Sequence, residues 1–273
     1  MGMVIKNNLD SVRTYNVYNR NTIALSDAMY KVSSGQRINS AADGASDLAI
    51  SEGMRTRIRS LEQADRNAQA GNSMIKTAEG ALTNISDILA SMREKVMHAA
   101  NDDLNTTDRN LIATELTSLV NQIDRNAEVT YNGMQLMNAS TPLQFQIGDL
   151  SSDIINYTIN PMTASDLGVA SVAESLTDAE AAKGKLSDID VAIATLNSQL
   201  ADLGSYETQL GYTSDNLSTQ IENLKSSESS IRDLDMAKGM TEFAKYNLLT
   251  QASQFMLAQA TQNPYSVLNL LQQ

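Results

Sequence analysis

Apolar residues recur at alternating steps of four and three along two very long stretches of this chain. No other feature limits the fold so much. The first series is Met54, Ile58, Leu61, Ala64, Ala68, Gly71, Ile75, Ala78, Leu82, Ile85, Leu89, Met92, Val96 and Ala99, with one irregular step at Leu61–Ala64. It predicts a helix of roughly 45 residues, about 70 Å long. The second series is Ala182, Leu186, Ile189, Ile193, Leu196, Leu200, Leu203, Glu207, Leu210, Ser214, Leu217, Ile221, Leu224, Glu228 and Ile231, in which only Glu207, Ser214 and Glu228 are polar. Seams this regular are buried most simply against each other, so the chain is expected to double back as a long antiparallel coiled coil.

Composition fits that expectation. Among 273 residues, aromatics make up 4 %, with no Trp and three Phe. Ala, Leu, Ile and Met do the apolar work, as suits helices packed side by side. A net charge of −12 excludes a general nucleic-acid binder, which needs a basic face for phosphates. The absence of cysteine excludes disulfides, thiolate zinc sites and a cysteine nucleophile. No run of 18 apolar residues occurs, so no membrane span is predicted. The N-terminal "MGMVIKNNLDSVRTYN" lacks the apolar centre and cleavage site of a secretory signal.

The rest of the chain is arranged almost symmetrically about its middle. Residues 5–33 show a weaker helical seam, Ile5, Leu9, Val12, Asn16, Asn19, Ile23, Ser26, Tyr30 and Ser33, marginal on its own. A helix after "NDDLNTTD" is expected to be capped by Thr106 or Thr107 and to bury Ile112, Leu116, Leu119, Ile123 and Ala127. "YNGMQL" carries an Asn-Gly turn, and "LQFQIG" and "IINYTI", joined by "DLSSD", read as short strands. Thr177 and Glu180 have capping-box spacing. A last helix is expected from Asp235 to about Gln262, stopping near Asn263-Pro264. The fold class is therefore mainly α: an antiparallel coiled-coil rod with a small β-hairpin element, plus a two-helix terminal coiled coil. Imperfect seams in a terminal pair suit a surface that orders on assembly.

Little in the chain suggests chemistry. His98 is the sole histidine, which excludes a Ser-His-Asp site or a two-His metal site within one chain. "SSGQRINSAADG" lacks the Gly-Lys-Ser/Thr ending of a phosphate loop. Asp102-Asp103 and Asp233 with Asp235 lack ligand spacing. No enzyme activity, cofactor or metal is expected.

"SSGQRINSAADGASDLAIS" (33–51) resembles the N-terminal signature of bacterial flagellins, L-S-S-G-x-R-I-N-x-A-x-D-D-A-A-G-x-A-I-S. The likeness continues through "MRTRIRSLEQADRNAQAGNSMIKTAEGALTNISDIL", "REKVMHAAND", "ELTSLVNQID" and "TYNG". "SSIRDLDMAKGMTEFAKYNLLTQASQFMLAQATQNPYSVLNLL" resembles the flagellin C-terminal signature. The resemblance implies a secreted structural protein, exported without a cleaved signal, that polymerises with its own copies into the helical flagellar filament for swimming. It implies inner filament-core helices at 1–34 and 236–273, a joint at 35–47, a helical rod at 48–130 and 177–235, and a hairpin region at 131–176 in place of large variable outer domains. An export chaperone, a filament cap and hook-junction proteins are the implied partners; nucleic acid and membrane insertion are not. A hook-filament junction protein shares the terminal design but matches these motifs more loosely.

The implied subunit contacts are Arg37, Ile38, Asn39 and Asp43 at the joint, with Ile5, Leu9, Val12, Ile23, Met240, Phe243, Leu248 and Leu257 on the terminal helices. Arg37 and Asn39 are expected to make polar contacts between neighbouring subunits, with Ile38 buried. Departures fall at Gln36 (usually Leu), Gly44 (Asp), Asp47 (Gly), Gly239 (Glu) and Thr208-Gln209-Leu210 (Asn-Arg-Leu or Asn-Arg-Phe). Flagellins recognised by the vertebrate Toll-like flagellin receptor carry an R-x-R-E-L-A-V-Q-like motif and a Glu on the next helix. Here Arg93, Glu94 and Glu115 match, whereas Ser91 and Lys95 depart. Weakened receptor activation is expected.

Overall fold

The computed structural model describes residues 8–137, 142–176 and 178–271, with backbone alone at 175 and 263–271. The chain forms two compact units, one of Met1–Ile58 with Glu222–Gln273, the other of Arg59–Ile221. Its helices are α1 (Leu9–Ser34), α2 (Ala41–Ala99), α3 (Thr106–Ala127), α4 (Ala179–Arg232) and α5 (Met236–Leu271). Two antiparallel hairpins lie between α3 and α4: β1 (Thr130–Tyr131) with β2 (Met134–Gln135), and β3 (Leu143–Gln146) with β4 (Ile154–Tyr157).

In the central unit the two long seams meet as their spacing predicts. Arg93 pairs with Asp190, Lys76 with Glu207, and the Ser214 hydroxyl donates to Asp65. One number falls as the other rises, so α2 and α4 run antiparallel. Leu82, Ile85, Leu89, Met92, Val96, Ile189 and Leu196 are fully buried in one continuous core. Burial on this scale is the main source of the unit's stability, at about 25 cal/mol per Å2 of apolar surface. Coiled-coil pairing alone does not complete the unit. α3 folds back along the end of α2, and the buried Arg109 closes that turn: Nε donates to Ala99 O at 3.1 Å and Nη2 to Asn101 O at 2.7 Å. Those carbonyls at the end of α2 have no intrahelical partner, so an arginine there acts as a side-chain cap.

The Asn-Gly turn forms as read, with Asn132 at φ 49° and Gly133 at φ 80°, the left-handed pair that a two-residue hairpin requires. The larger hairpin lies over the helix pair. Tyr157 is buried between the rings of Phe145 (6.0 Å) and Tyr206 (5.4 Å), and burial pushes its hydroxyl up to about 12. Gly71 marks the closest approach. A Cβ there would lie 3.3 Å from both Leu210 Cδ1 and Phe145 Cδ1, which explains a glycine inside an otherwise regular seam.

The terminal unit corrects several expectations. The seam Leu9, Val12, Ile23, Tyr30 does not face the partner helix; all four are exposed. α1 instead turns Ser11, Thr14, Tyr18, Asn21, Leu25, Ala28 and Val32 inward. α5 presents Gly239, Phe243, Tyr246, Thr250, Ser253, Leu257 and Ala260. Both sets keep the four-three rhythm, but small and polar residues fill much of them. Asn21 Nδ2 donates to Ser253 Oγ at 2.7 Å, and Asn8 Nδ2 to Ala260 O at 2.8 Å. Side chains this short let two helices approach closely and satisfy their polar groups across the seam.

Helix ends also differ. α3 is capped by Asn105, whose side chain accepts from Asp108 N at 2.9 Å, not by Thr106 or Thr107; Asn is the better cap. α5 runs through Pro264 to Leu271 instead of stopping there. A proline removes one helical hydrogen bond, and here that loss does not end the helix. Ile5, Thr177 and the capping box that Thr177 would form lie outside the described residues.

Candidate functional site

Two surfaces carry the residues singled out by sequence: the terminal helix pair with its joint, and the end of the rod. At the joint, α1 ends on Gly35 in the left-handed conformation, φ 69°, the usual helix-stop geometry. The next residues pair with the chain between α4 and α5. Gln36 bridges Asp233 in antiparallel fashion, Leu234 N donates to Gly35 O at 2.9 Å, and Arg37 N donates to Arg232 O at 2.7 Å. Two segments nearly 200 residues apart thereby form a miniature sheet.

Arg232 is the hub, and sequence reasoning passed over it. Its side chain is nearly buried and reaches both Glu52 and Gln36 Oε1. A buried guanidinium needs such partners, and Arg232 in turn holds the Glu52 carboxyl below its ordinary value. The only signal in the sequence was its place in "SSIRDLDMAK", before the α4–α5 turn. Gln36, first noted as a departure from the flagellin pattern, is thus one of its two partners.

The other joint residues turn out to be engaged within the chain. Arg37 Nη2 donates to Ile231 O and pairs with Asp47 at 3.5 Å. Asn39 Nδ2 donates to Ser34 Oγ at 2.8 Å and Gln36 O at 3.2 Å. Ile38 is 1 % exposed. Asp43 opens α2. Its carboxylate accepts from the backbone of Ser40 and Asn39 and from the Ser40 hydroxyl, and it pairs with Lys31 at 3.3 Å. The Ser40 backbone and hydroxyl donors lead in pulling its pKa down to about 2 from an ordinary 3.8. Stability drawn from a depressed carboxylate is complete above the ordinary value and lost as pH falls through the folded one. Amide exchange at Asn39 and Ser40, corrected for its intrinsic pH dependence, should therefore lose protection between about pH 4 and pH 2. Asp43→Asn should abolish that pH dependence; a variant that keeps it would contradict the assignment.

On the terminal helices, the predicted contact residues divide. Leu9, Val12, Ile23, Met240 and Leu248 are exposed, whereas Phe243 and Leu257 are half-buried toward α1. Phe255 and Met256, not singled out by sequence, are 78 % and 65 % exposed. A folded monomer seldom leaves this many large apolar side chains of one helix pair in water unless something covers them.

At the rod end, Arg93 Nε donates to Asp190 Oδ1 at 2.7 Å, Lys95 pairs with Glu115, and Glu94 is exposed. The Arg93 partner lowers the Asp190 carboxyl below its ordinary value. His98 is exposed in the last turn of α2. Among the described residues, no cluster of three or more His, Cys, Asp or Glu is placed to hold a metal, and no helix is long and apolar enough to cross a membrane.

The family models for the bacterial flagellin N-terminal and C-terminal helical regions match residues 5–141 and 186–271. The chain belongs to the bacterial flagellins, the subunits of the flagellar filament. It is 40 % identical to a flagellin of Halalkalibacterium halodurans over 98 % of its own length and all of the relative's. It is 41 % identical to the flagellin of Bacillus subtilis, again over 98 % of its length and the whole relative. A solved structure from Vibrio parahaemolyticus, described as flagellar hook-associated, is similar with a TM-score of 0.62 over 70 % of this chain and all of that one. At 15 % identity, that likeness concerns the fold alone. The two matched regions leave only residues 142–185 between them, where the larger hairpin lies.

Proposed function

We propose that this flagellin joins the filament through the outward apolar side chains of α1 and α5, with the rod and hairpin region outside them. One observation carries the reading. The terminal pair fills much of its shared seam with polar and small residues and leaves large apolar side chains such as Leu9, Ile23, Leu248 and Phe255 exposed, unlike a helix pair that is complete by itself. Residues 1–34 and 236–273 then form the inner filament core, 48–130 and 177–235 the rod, and 35–47 the joint. The subunit is an exported, non-enzymatic building block. It leaves the cell without a cleaved signal, and its partners are further copies, an export chaperone, the filament cap and the hook-junction proteins. A hook-filament junction protein is the weaker reading, because full-length identity near 40 % runs to flagellins. Purified protein, seeded or salted out, should give long smooth tubes in negative-stain micrographs; short rings or amorphous material would overturn the filament reading.

The same reading includes weak activation of the Toll-like flagellin receptor. Two of the three motif-matching positions, Arg93 and Glu115, are occupied by ion pairs, and the partner of Glu115 is Lys95, a departure from the motif. A receptor must displace the hydrated ammonium and break the pair before it can reach the carboxylate. Lys95→Leu should release Glu115, restore an apolar contact and raise potency in a reporter-cell dose series roughly tenfold, equivalent to about 1.4 kcal/mol. Unchanged potency would sink the proposal.

A further inference from the structure

We propose that the thioethers of Met29, Met236, Met240 and Met256 form an oxidation-sensitive set that controls whether a free subunit can be incorporated. The proposal rests on the filament reading above. The methionines of the two units differ in setting, although Met97 and Met134 of the central unit are exposed as well. In the central unit, Met74, Met92, Met137 and Met162 are 2 % exposed or less, sealed in the core. In the terminal unit, the four named residues are 47–65 % exposed. Three of them share one end of the helix pair. Met236 and Met240 lie one turn apart at the start of α5. The seam brings Val32 of α1 beside Gly239 of α5, so Met29 belongs to the same end of the helix pair. Met256 follows Phe255, the most exposed large apolar residue of the unit. These side chains thus belong to the surface that assembly is read to cover.

Oxidation changes that surface chemically while leaving the fold intact. The sulfur lone pair attacks an oxygen of a two-electron oxidant such as hydrogen peroxide. The O–O bond breaks, water leaves, and a sulfoxide remains. The flexible apolar side chain has become a polar acceptor. In water the new oxygen is solvated at no cost. Against another subunit it must be desolvated without a designed partner, which opposes association. The core methionines are shielded from the reagent, so the free chain stays folded while losing competence to elongate. In a filament the same four sulfurs are covered and react slowly.

The test treats purified, unpolymerised chain with hydrogen peroxide, maps sulfoxides by peptide mass spectrometry, and then seeds polymerisation. Met29, Met236, Met240 and Met256 should oxidise well before Met74, Met92, Met137 and Met162. The concentration needed for elongation should rise roughly tenfold or more. Treatment with methionine sulfoxide reductases should reverse it. Filaments exposed to the same dose should show the four sites protected. A variant with Met29, Met236, Met240 and Met256 all changed to Leu should polymerise and resist the oxidant. Met97→Leu with Met134→Leu, which removes the two other exposed thioethers among the described residues, should stay sensitive. Undiminished elongation by fully oxidised chain, or equal sensitivity of the four-Leu variant, overturns the inference. Untreated protein that forms no filaments overturns the filament reading beneath it instead.

Discussion

Deleting residues 236–273 should abolish filaments at every protein concentration while the central unit keeps its helical spectrum. The deletion removes α5 whole, and with it every partner of the α1 seam: Ser253 for Asn21, Ala260 for Asn8, Gly239 for Val32. What remains of α1 is a helix of 26 residues with small and polar groups along its inner face, and such a helix is marginal in water. Half of the outward apolar surface goes too, including Leu248, Phe255 and Met256. The central core does not depend on any of this, because Leu82, Leu89, Leu116, Ile189 and Leu196 are sealed within residues 59–221. Negative-stain microscopy and a thermal melt on the truncated chain read the two halves of the expectation separately. Tubes from the truncated protein would show that the terminal pair is not the assembly element.

Gly239→Glu should be the most damaging single substitution in the terminal unit. Glu is the usual flagellin residue after Met-Ala-Lys, yet in this chain the position is filled from outside. A Cβ at 239 would stand 2.7 Å from Leu234 Cδ2 and 3.3 Å from Val32 Cγ2. The first contact requires Leu234 to change rotamer, and the second requires α1 to move. A carboxylate beyond that Cβ would enter a buried seam with no cation built to meet it, a situation that costs about 3 kcal/mol or more. Against a helix pair with so little apolar burial of its own, that is enough to open it. Hydrogen exchange along α1 and α5 should rise at least tenfold, and seeded elongation should fail. Gly239→Ala gains up to about 1 kcal/mol of helix propensity but must still displace Leu234, so its net effect should be small. Protection equal to the parent in the Glu variant would mean that α1 and α5 tolerate a wider spacing than their present contacts suggest.

How much of this could be read in the sequence depends on who buries each stripe. The rod was legible because α2 and α4 bury each other's seams within one chain. Every named position from Ile58 to Ala99 is buried, and none from Ala182 to Ile231 is exposed. The Asn-Gly hairpin was legible because only a few residues accept its backbone angles. α1 misled for a physical reason. Periodicity reports which face is apolar, and the step from apolar to buried assumes that the chain covers its own stripe. Here Leu9, Val12 and Ile23 stay outside and Asn21, Thr14 and Ser11 go in. The joint was legible as a place but not as a network. Nothing near residue 36 indicates that its partners are Asp233 and Arg232, because a two-residue bridge leaves no periodic trace.

The pairing of Gln36 with Asp233 and of α1 with α5 also sets an order of events. α1 leaves the ribosome about 200 residues before its partner. At about 5–20 residues per second, α1 waits on the order of ten seconds or more with its seam open and its outer stripe bare. No folding of the chain can shorten that wait, because the missing half does not yet exist. The central unit, by contrast, has all its parts before α5 begins. The terminal unit is therefore the last to close in every copy made, and for that interval its helix is available to any guardian that binds apolar faces. Joining the two ends of the chain in one unit thus delays the sticky part of the subunit until the rest is complete.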